Sequence, residues 1–522
     1  MPESVQQISS DRKLPMHGSS ARWALFAVVV VMLATLFSPP FLRMLGPNAW
    51  KAFDMTEAQW SVVTAVRGLF FIIFILAAGV LADFQGRRRV LLLTLAAFTF
   101  LTLAITITPV GNLSLIFYAL LSILGVMIRT LTVTLLILMF EQRQRLTGLV
   151  IYSVFSGGAY LLSPYISIAI FQDAGAKMLF VLPAVFAVAG FWLVVKKIPE
   201  SHASAEGNRK DVIAVALFSF DFCVLIFAAI LAGSLGWTHP IVLTGFAIGG
   251  GLLLLLNVLD DLSVNRSWQF NLHFERQLSI AIFAGVILHI ALYAIALQVF
   301  NFLRKVQGYN LKSAILMLAP ILAGAFLTGI LATRLIHRLK VRRALAFSLF
   351  VVALPAIGLS FLSPDVPYWV IALHLFVLGF GFILGNSPYL MLLTSSVPLD
   401  LIATVQSIGS AANQLGAALA HSFILTLLLG FGQRAYVELL EKIGLSPEEI
   451  TERILALATA SEDISLVIPP ETQAEIVQSS NYFLRKAYVT GLSQAMLTLA
   501  GVCVFSAILV YVGLRSKKRS KT

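Results

Sequence analysis

Gly79-Val-Leu-Ala-Asp83-Phe-Gln-Gly86-Arg-Arg-Arg89 ends an apolar run at roughly 58–82 and precedes another at roughly 90–109. A bilayer core about 30 Å thick takes roughly 20 apolar residues per helix, so the stretch reads as a short basic turn between two membrane spans. Thr333-Arg-Leu-Ile-His337-Arg-Leu-Lys340-Val-Arg-Arg343 lies between two further apolar runs. In ungapped alignment Leu81, Arg88 and Arg89 recur there as Leu335, Arg342 and Arg343. A turn repeated in the second half of a chain points to a duplicated helix bundle.

The pattern continues outward from these two turns. Apolar runs fall at roughly 23–44, 58–82, 90–109, 113–139, 146–171, 177–195, 212–235, 240–259, 279–303, 313–335, 344–363, 368–396, 403–430 and 488–514. The 522 residues are 59% hydrophobic and 12% charged, against roughly 45–50% and about 25% in soluble domains. That much apolar surface needs a solvent other than water. The fold class expected is an all-α integral membrane protein of about fourteen transmembrane helices, with no separate soluble domain. Its parts are a cytoplasmic tail (1–22), a six-helix bundle (23–198), an inserted pair of spans 7 and 8 (211–262), a second six-helix bundle (278–514) and a basic tail (515–522).

Charge placement supplies the orientation. With the N-terminus inside, 24 of the 37 Lys and Arg fall on the cytoplasmic side, as the positive-inside rule requires. N-in and C-in follow, and with them an even number of spans. The net charge of +12 is thereby accounted for without nucleic acid. The 431–486 segment is the one sizeable extramembrane piece and lies outside. Ser446-Pro447-Glu448-Glu449 within it reads as a helix start. It is read either as a packed helical loop or as a docking site for a periplasmic adaptor and outer-membrane channel. Cys223 and Cys503 sit within apolar runs and read as small core residues. The polar N-terminus has no apolar stretch followed by a small-residue cleavage site, so no cleaved signal peptide is expected. No metal-ligand spacing, phosphate-binding loop or nucleophile elbow is present in the sequence, so neither an enzyme nor a cofactor is expected.

The 79–89 segment resembles the signature of the major facilitator superfamily, G-x-L-a-D-r-x-G-r-r-r. The resemblance implies the major facilitator fold, two pseudo-symmetric six-helix bundles, here with two inserted helices. It also implies that Gly79, Asp83, Gly86, Arg87, Arg88 and Arg89 form a latch holding the halves in one access state. Gly79 lets helices approach closely. Asp83, where a helix C-terminus meets the membrane surface, is unfavourable alone and needs arginines or the N-terminus of a facing helix. Glu141-Gln-Arg-Gln-Arg145-Leu-Thr-Gly148, Gly236-Trp237-Thr-His-Pro240, Gln307-Gly308-Tyr309 and Gln414-Leu-Gly416-Ala-Ala418 extend the likeness. Together they are similar to the fourteen-span multidrug:proton antiporters of the EmrB/QacA type. The departures bear on coupling and specificity. Span 1 has no acid, and Pro39-Pro40 breaks it. The span 5 motif is reduced to a hinge of Gly157, Gly158 and Pro164, and the usual early span 4 arginine aligns with Leu121.

A charge at the bilayer centre costs roughly 2.5–3.5 kcal/mol on insertion scales, so intramembrane charges are functional candidates. Arg67 lies about 15 Å along its helix from Glu57, and Arg129 about 18 Å from Glu141, placing both near mid-membrane. They read either as cavity-facing groups or as packing groups bound to neighbouring backbone. Asp221 in span 7 is the only deep carboxylate; a buried carboxyl favours its neutral form and could carry a proton, or make a structural hydrogen bond. His289, Gln298, Asn386, Gln406, Asn413 and Gln414 complete the cavity candidates. His374 and His421 share the same apolar setting.

The reading that follows is a multi-pass transporter of a bacterial inner membrane, exporting small organic molecules against protons by alternating access. Two alternatives stand beside it: export of an anionic metabolite or siderophore with different coupling, and a transporter-like sensor that no longer translocates. The two arginines and the missing span 1 acid predict an anionic or zwitterionic substrate, because arginine stays charged in essentially any protein environment.

Overall fold

A computed structural model describes residues 18–35, 74–75, 78–79, 81–83, 85–108, 112–140, 144–155, 166–167, 170, 176–200, 220–221, 224–229, 231–232, 236–262, 276–395, 402–442 and 470–514. The described residues in the first half form α1 (Gly18–Ala34), α2 (Arg87–Ile107), α3 (Asn112–Met139) and α4 (Val181–Lys197). α5 (Pro240–Leu262) follows. The second half holds α6 (Arg276–Lys305), α7 (Leu311–Leu316), α8 (Pro320–Leu339), α9 (Val341–Leu359), α10 (Tyr368–Ser395), α11 (Ile402–Lys442) and α12 (Pro470–Gly513). Among the described residues, nine helices are long and apolar enough to cross a membrane. Hydrocarbon offers no partner to backbone N–H and C=O groups, so apolar runs of this length must close their hydrogen bonds internally as helices.

Side chains are distributed for lipid. Ile107, Ile330 and Phe361 are 82%, 74% and 78% exposed on the outside of the bundle. Meanwhile Thr102, Thr132, Thr328, Ser348 and Gln406 are buried within it. Several buried hydroxyls return to their own helices, as Thr102 Oγ1 does to the Phe98 carbonyl at 2.5 Å and Thr328 Oγ1 to the Gly324 carbonyl at 2.8 Å.

Helix neighbours repeat between the two halves. α1 packs on α3 and α4, and α2 on α3 and α4. In the same order, α6 packs on α10 and α12, and α9 on α10 and α12. Small residues make these crossings close. At the α8–α10 crossing a Cβ built on Gly324 would run into the Phe376 backbone, and one on Gly379 into the Ile321 backbone. The two helices therefore touch main chain to main chain.

Three details depart from the hydropathy pattern. The tenth apolar run is broken at Met317–Ala319, and α8 restarts with Pro320 in its first turn, the position proline tolerates. α11 continues to Lys442, and α12 begins at Pro470, well beyond the runs at 403–430 and 488–514. Part of the 431–486 segment is thus helix continuing out of the apolar zone. Hydropathy marks where lipid ends, and a helix has no reason to stop there. The Ser446–Glu449 helix start lies outside the described residues.

The residues at 229–246 lean on α11. Trp237 stacks on Phe246 at 5.7 Å, its indole N–H donates to Thr426 Oγ1 at 2.9 Å, and Ser422 Oγ donates to the Ala229 carbonyl. Cys503 is a buried free thiol on α12, while Cys223 lies outside the described residues.

Candidate functional site

The basic turn at 83–89 makes the most specific polar contact between the two ends of the chain. Asp83 is 6% exposed. Its Oδ1 accepts from Arg87 Nη2 at 2.7 Å and Nε at 3.0 Å. Its Oδ2 accepts from the Thr404 backbone N–H at 3.0 Å and Thr404 Oγ1 at 2.9 Å. Thr404 lies in the first turn of α11, where unpaired N–H groups and the helix dipole favour an anion. Asp83 therefore caps a helix of the opposite half while Arg87 neutralises it from its own side. Burial pushes the Asp83 carboxyl up from the ordinary carboxylate range, and the Arg87 charge and the Thr404 bonds pull against it.

The turn itself is set by Gly86, at φ 100° and ψ 127°, a region unfavourable to any residue with a Cβ. Arg88 then closes the C-terminus of α4, donating to the Val195 carbonyl at 2.6 Å, while its own N–H donates to Glu200 Oε1 at 3.1 Å. Arg89 is exposed. One helical turn before Asp83, a Cβ on Gly79 would overlap Ser407 Oγ and come within 2.7 Å of the Ala403 carbonyl. Span 2 thus lies directly on α11 at this face. Leu146 and Val150 pack there with Ala332, Ile336, Ala344 and Leu384, so the basic face of the molecule is closed.

A polar seam also crosses between the halves. Asn386 Nδ2 donates to Ser153 Oγ at 3.0 Å, and Ser387 Oγ to the same oxygen at 3.3 Å. Thr130 Oγ1 donates to Ser410 Oγ at 3.2 Å. Gln406, Ser410, Asn413 and Gln414 follow helical spacing, so they share one side of α11. The Thr130–Ser410 bond brings that side against α3 beside Arg129. Arg129 is half-buried, and its carbonyl accepts from Tyr152 Oη at 3.5 Å. Its guanidinium has no ion-pair or hydrogen-bond partner among the described residues. Gln406 Nε2 and Asn413 Oδ1 are buried without a hydrogen-bond partner among the described residues. Buried polar atoms are normally satisfied, and orphans mark sites of water, ion or ligand.

Other candidates lie apart from the seam. Gln298 Oε1 accepts from Tyr488 Oη at 3.1 Å, a tie between α6 and α12. His289 bonds the Gly285 carbonyl at 2.8 Å and meets Phe382 edge to face at 5.3 Å, a packing role. His374 bonds the Val370 carbonyl at 2.6 Å. Asp221 is fully buried, and neither carboxylate oxygen has a hydrogen-bond partner among the described residues. A Cβ on Gly249 would lie 3.6 Å from Asp221 Oδ1, so the carboxyl faces α5. Arg67, Gly157, Gly158 and Pro164 lie outside the described residues, and nothing is described of the His421 side chain.

Thr404, Ser410, Ser153 and Glu200 were not singled out from sequence. Only Thr404 had a signal: it follows Pro398-Leu-Asp400 at the start of an apolar run, where a helix N-terminus belongs.

Two halves with matching neighbours, closed against each other at one face through a charge-capped helix, define a multi-pass membrane transporter. Residues 20–421 match the family model described as Major Facilitator Superfamily, and the chain belongs to that family. It is 24% identical over 317 residues to the methylenomycin A resistance protein of Bacillus subtilis strain 168, covering 60% of this chain and 67% of that one. It is 22% identical over 417 residues to the multidrug resistance protein Stp of Mycobacterium tuberculosis H37Rv, covering 78% and 76%. In fold it is similar to the human organic anion transporter MFSD10 (TETRAN), with a TM-score of 0.55 at 14% identity, covering 95% of this chain and 100% of that one. It is likewise similar to a peptide transporter POT solved with sulfate, with a TM-score of 0.55 at 16% identity over 98% and 99%.

Proposed function

We propose that this protein exports small organic anions or zwitterions from a bacterial cytoplasm by alternating access, coupled to protons. The observation that carries the substrate class is the Arg129 guanidinium, unpaired among the described residues, beside a polar seam with two buried amide atoms that have no partner among them. A cation in low dielectric repels lipophilic cations and binds carboxylate or phosphate in bidentate fashion. The resistance names of the relatives support export.

The basic face is taken as cytoplasmic, with fourteen spans, six in each half and two inserted between them. Reporter fusions within 262–277 are expected to be active inside and those within 431–486 outside; both on one side would end this topology. For the proton we select Asp221, a buried carboxyl with no hydrogen-bond partner among the described residues, where an ionised form would be costly.

One experiment tests substrate and coupling together: uptake into inverted vesicles of a panel of carboxylates, zwitterions and ethidium-like cations. Wild type should take up anions or zwitterions. Arg129→Gln should lose about 10-fold or more, the worth of one charged hydrogen bond at roughly 1.5–3 kcal/mol. Asp221→Asn should retain exchange but lose its response to an imposed pH gradient. Good transport of cations, unchanged in Arg129→Gln, would refute the anion reading. A full pH response in Asp221→Asn would remove that residue from coupling.

A further inference from the structure

The two basic turns share a geometry and differ in their charge balance. Arg88 closes the end of α4, and Arg342 closes the end of α12, donating to the Leu514 carbonyl at 3.1 Å. The first turn is partly neutralised from within the protein: Asp83 pairs with Arg87 and Glu200 accepts from the Arg88 N–H, two carboxylates against Arg87, Arg88 and Arg89. At the corresponding positions of the second turn, His337 and Val341 replace Asp83 and Arg87. Among the described residues Arg342 bonds neutral groups there, Gln277 Oε1 at 2.9 Å besides the Leu514 carbonyl. No carboxylate among the described residues pairs with Lys340 or Arg343.

These cations border a cavity of about 600 Å³ at the junction of α6, α9, α10 and α12. Gln277, Lys340, Arg342, Arg343, Ser395 and Tyr511 supply its polar wall, and no Asp or Glu among the described residues lines it. The backbone adds an independent sign. Lys340 has φ 67° and ψ 146° and is the only non-glycine residue with positive φ among those described. Its counterpart in the first turn is Gly86. Such a conformation is almost confined to glycine, and strained residues gather at functional sites. The second turn thus holds an ammonium group where a glycine would be unstrained. The sequence beyond Leu514, Arg515-Ser-Lys-Lys-Arg-Ser-Lys521, adds further positive charge after the same helix end.

We propose that this cavity binds the phosphate of an anionic phospholipid, whose charge stands in for the carboxylates of the first turn. Basic pockets between membrane helices on the cytoplasmic side suit such headgroups, and Met391, Leu392 and Val341 give the wall an apolar part for the glycerol and upper acyl chain. A bound headgroup would tie together four helix ends of the second half. Assignment to the inner leaflet rests on the orientation proposed above, while the chemistry of the cavity does not.

The test uses the full chain in phosphatidylcholine nanodiscs doped with phosphatidylglycerol, with lipid retained by the protein read by native mass spectrometry and thermal unfolding read alongside. Wild type should select phosphatidylglycerol over phosphatidylcholine. The double variant Lys340→Gly/Arg343→Gln should lose about 10- to 30-fold in that selectivity, from two surface cations. Lys340→Gly relieves the backbone, so the variant should fold. Lys196→Gln, which removes a cation from the same face of the first half, should change it less than about 2-fold. Equal selectivity in wild type and the double variant overturns the proposal. So does inorganic phosphate stabilising the protein as strongly as phosphatidylglycerol, which would assign the cavity to a soluble anion. The reporter fusions decide the leaflet separately, so a wrong orientation and a wrong ligand give different results.

Discussion

Asp83→Asn should abolish transport while leaving membrane insertion and folded yield near wild type. The carboxylate accepts two bonds from Thr404 across the halves and two from Arg87 on its own side. Hydrogen bonds to a charged group are worth about 1.5–3 kcal/mol, and the amide keeps the shape while losing the charge. Losing that much from only one access state shifts the ratio of states roughly 10- to 150-fold, and a transporter that must visit both states each cycle stalls. The helices of the first half keep their own packing, which is why insertion should survive. Uptake at equal expression checks this. Wild-type rates in the variant would remove the latch from the mechanism.

Gly79→Val should have the second large effect, through shape instead of charge. Added carbon at this position meets the Ala403 carbonyl, which belongs to the backbone of α11 and cannot rotate away. Overpacking costs about 1–3 kcal/mol, and a clash with main chain belongs at the upper end. The face closed in this structure should then be unable to close, and reactivity of a cysteine at Ser407 toward a membrane-impermeant thiol reagent should rise. Gly79→Ala should show a smaller effect in the same direction. Unchanged reactivity in Gly79→Val would mean that the two helices are not held together here during the cycle.

Hydropathy made the membrane class readable, because an apolar run of that length becomes a helix in lipid, and nine such helices stand among the described residues. The repeated basic turn was readable because charge at a span end is scarce and conspicuous. The partners of that turn were less so. Thr404 lies 321 residues from Asp83, and no local pattern announces that two helix ends will meet. Single polar residues in apolar runs were readable as candidates but not in their roles. Gln406 and Asn413 keep orphaned atoms at the seam, whereas Gln298 and His289 are satisfied by Tyr488 and by their own helix. The pattern is the same, one polar residue in an apolar run, and only the facing helix separates the cases. The strain at Lys340 was hidden for a different reason: sequence shows a lysine, and only the backbone shows that it stands where its counterpart is glycine.

We propose that the contact of Asp83 with α11 closes one face in one of two access states. The most direct test is a distance measurement in a background with Cys223 and Cys503 replaced by Ser. Spin labels at Thr147→Cys and Arg338→Cys, both exposed near the closed face, would report the separation of the two halves. The account predicts a short and a long distance in wild type, with Asp83→Asn moving the population to the long one. A single distance, the same in wild type and Asp83→Asn, would contradict it.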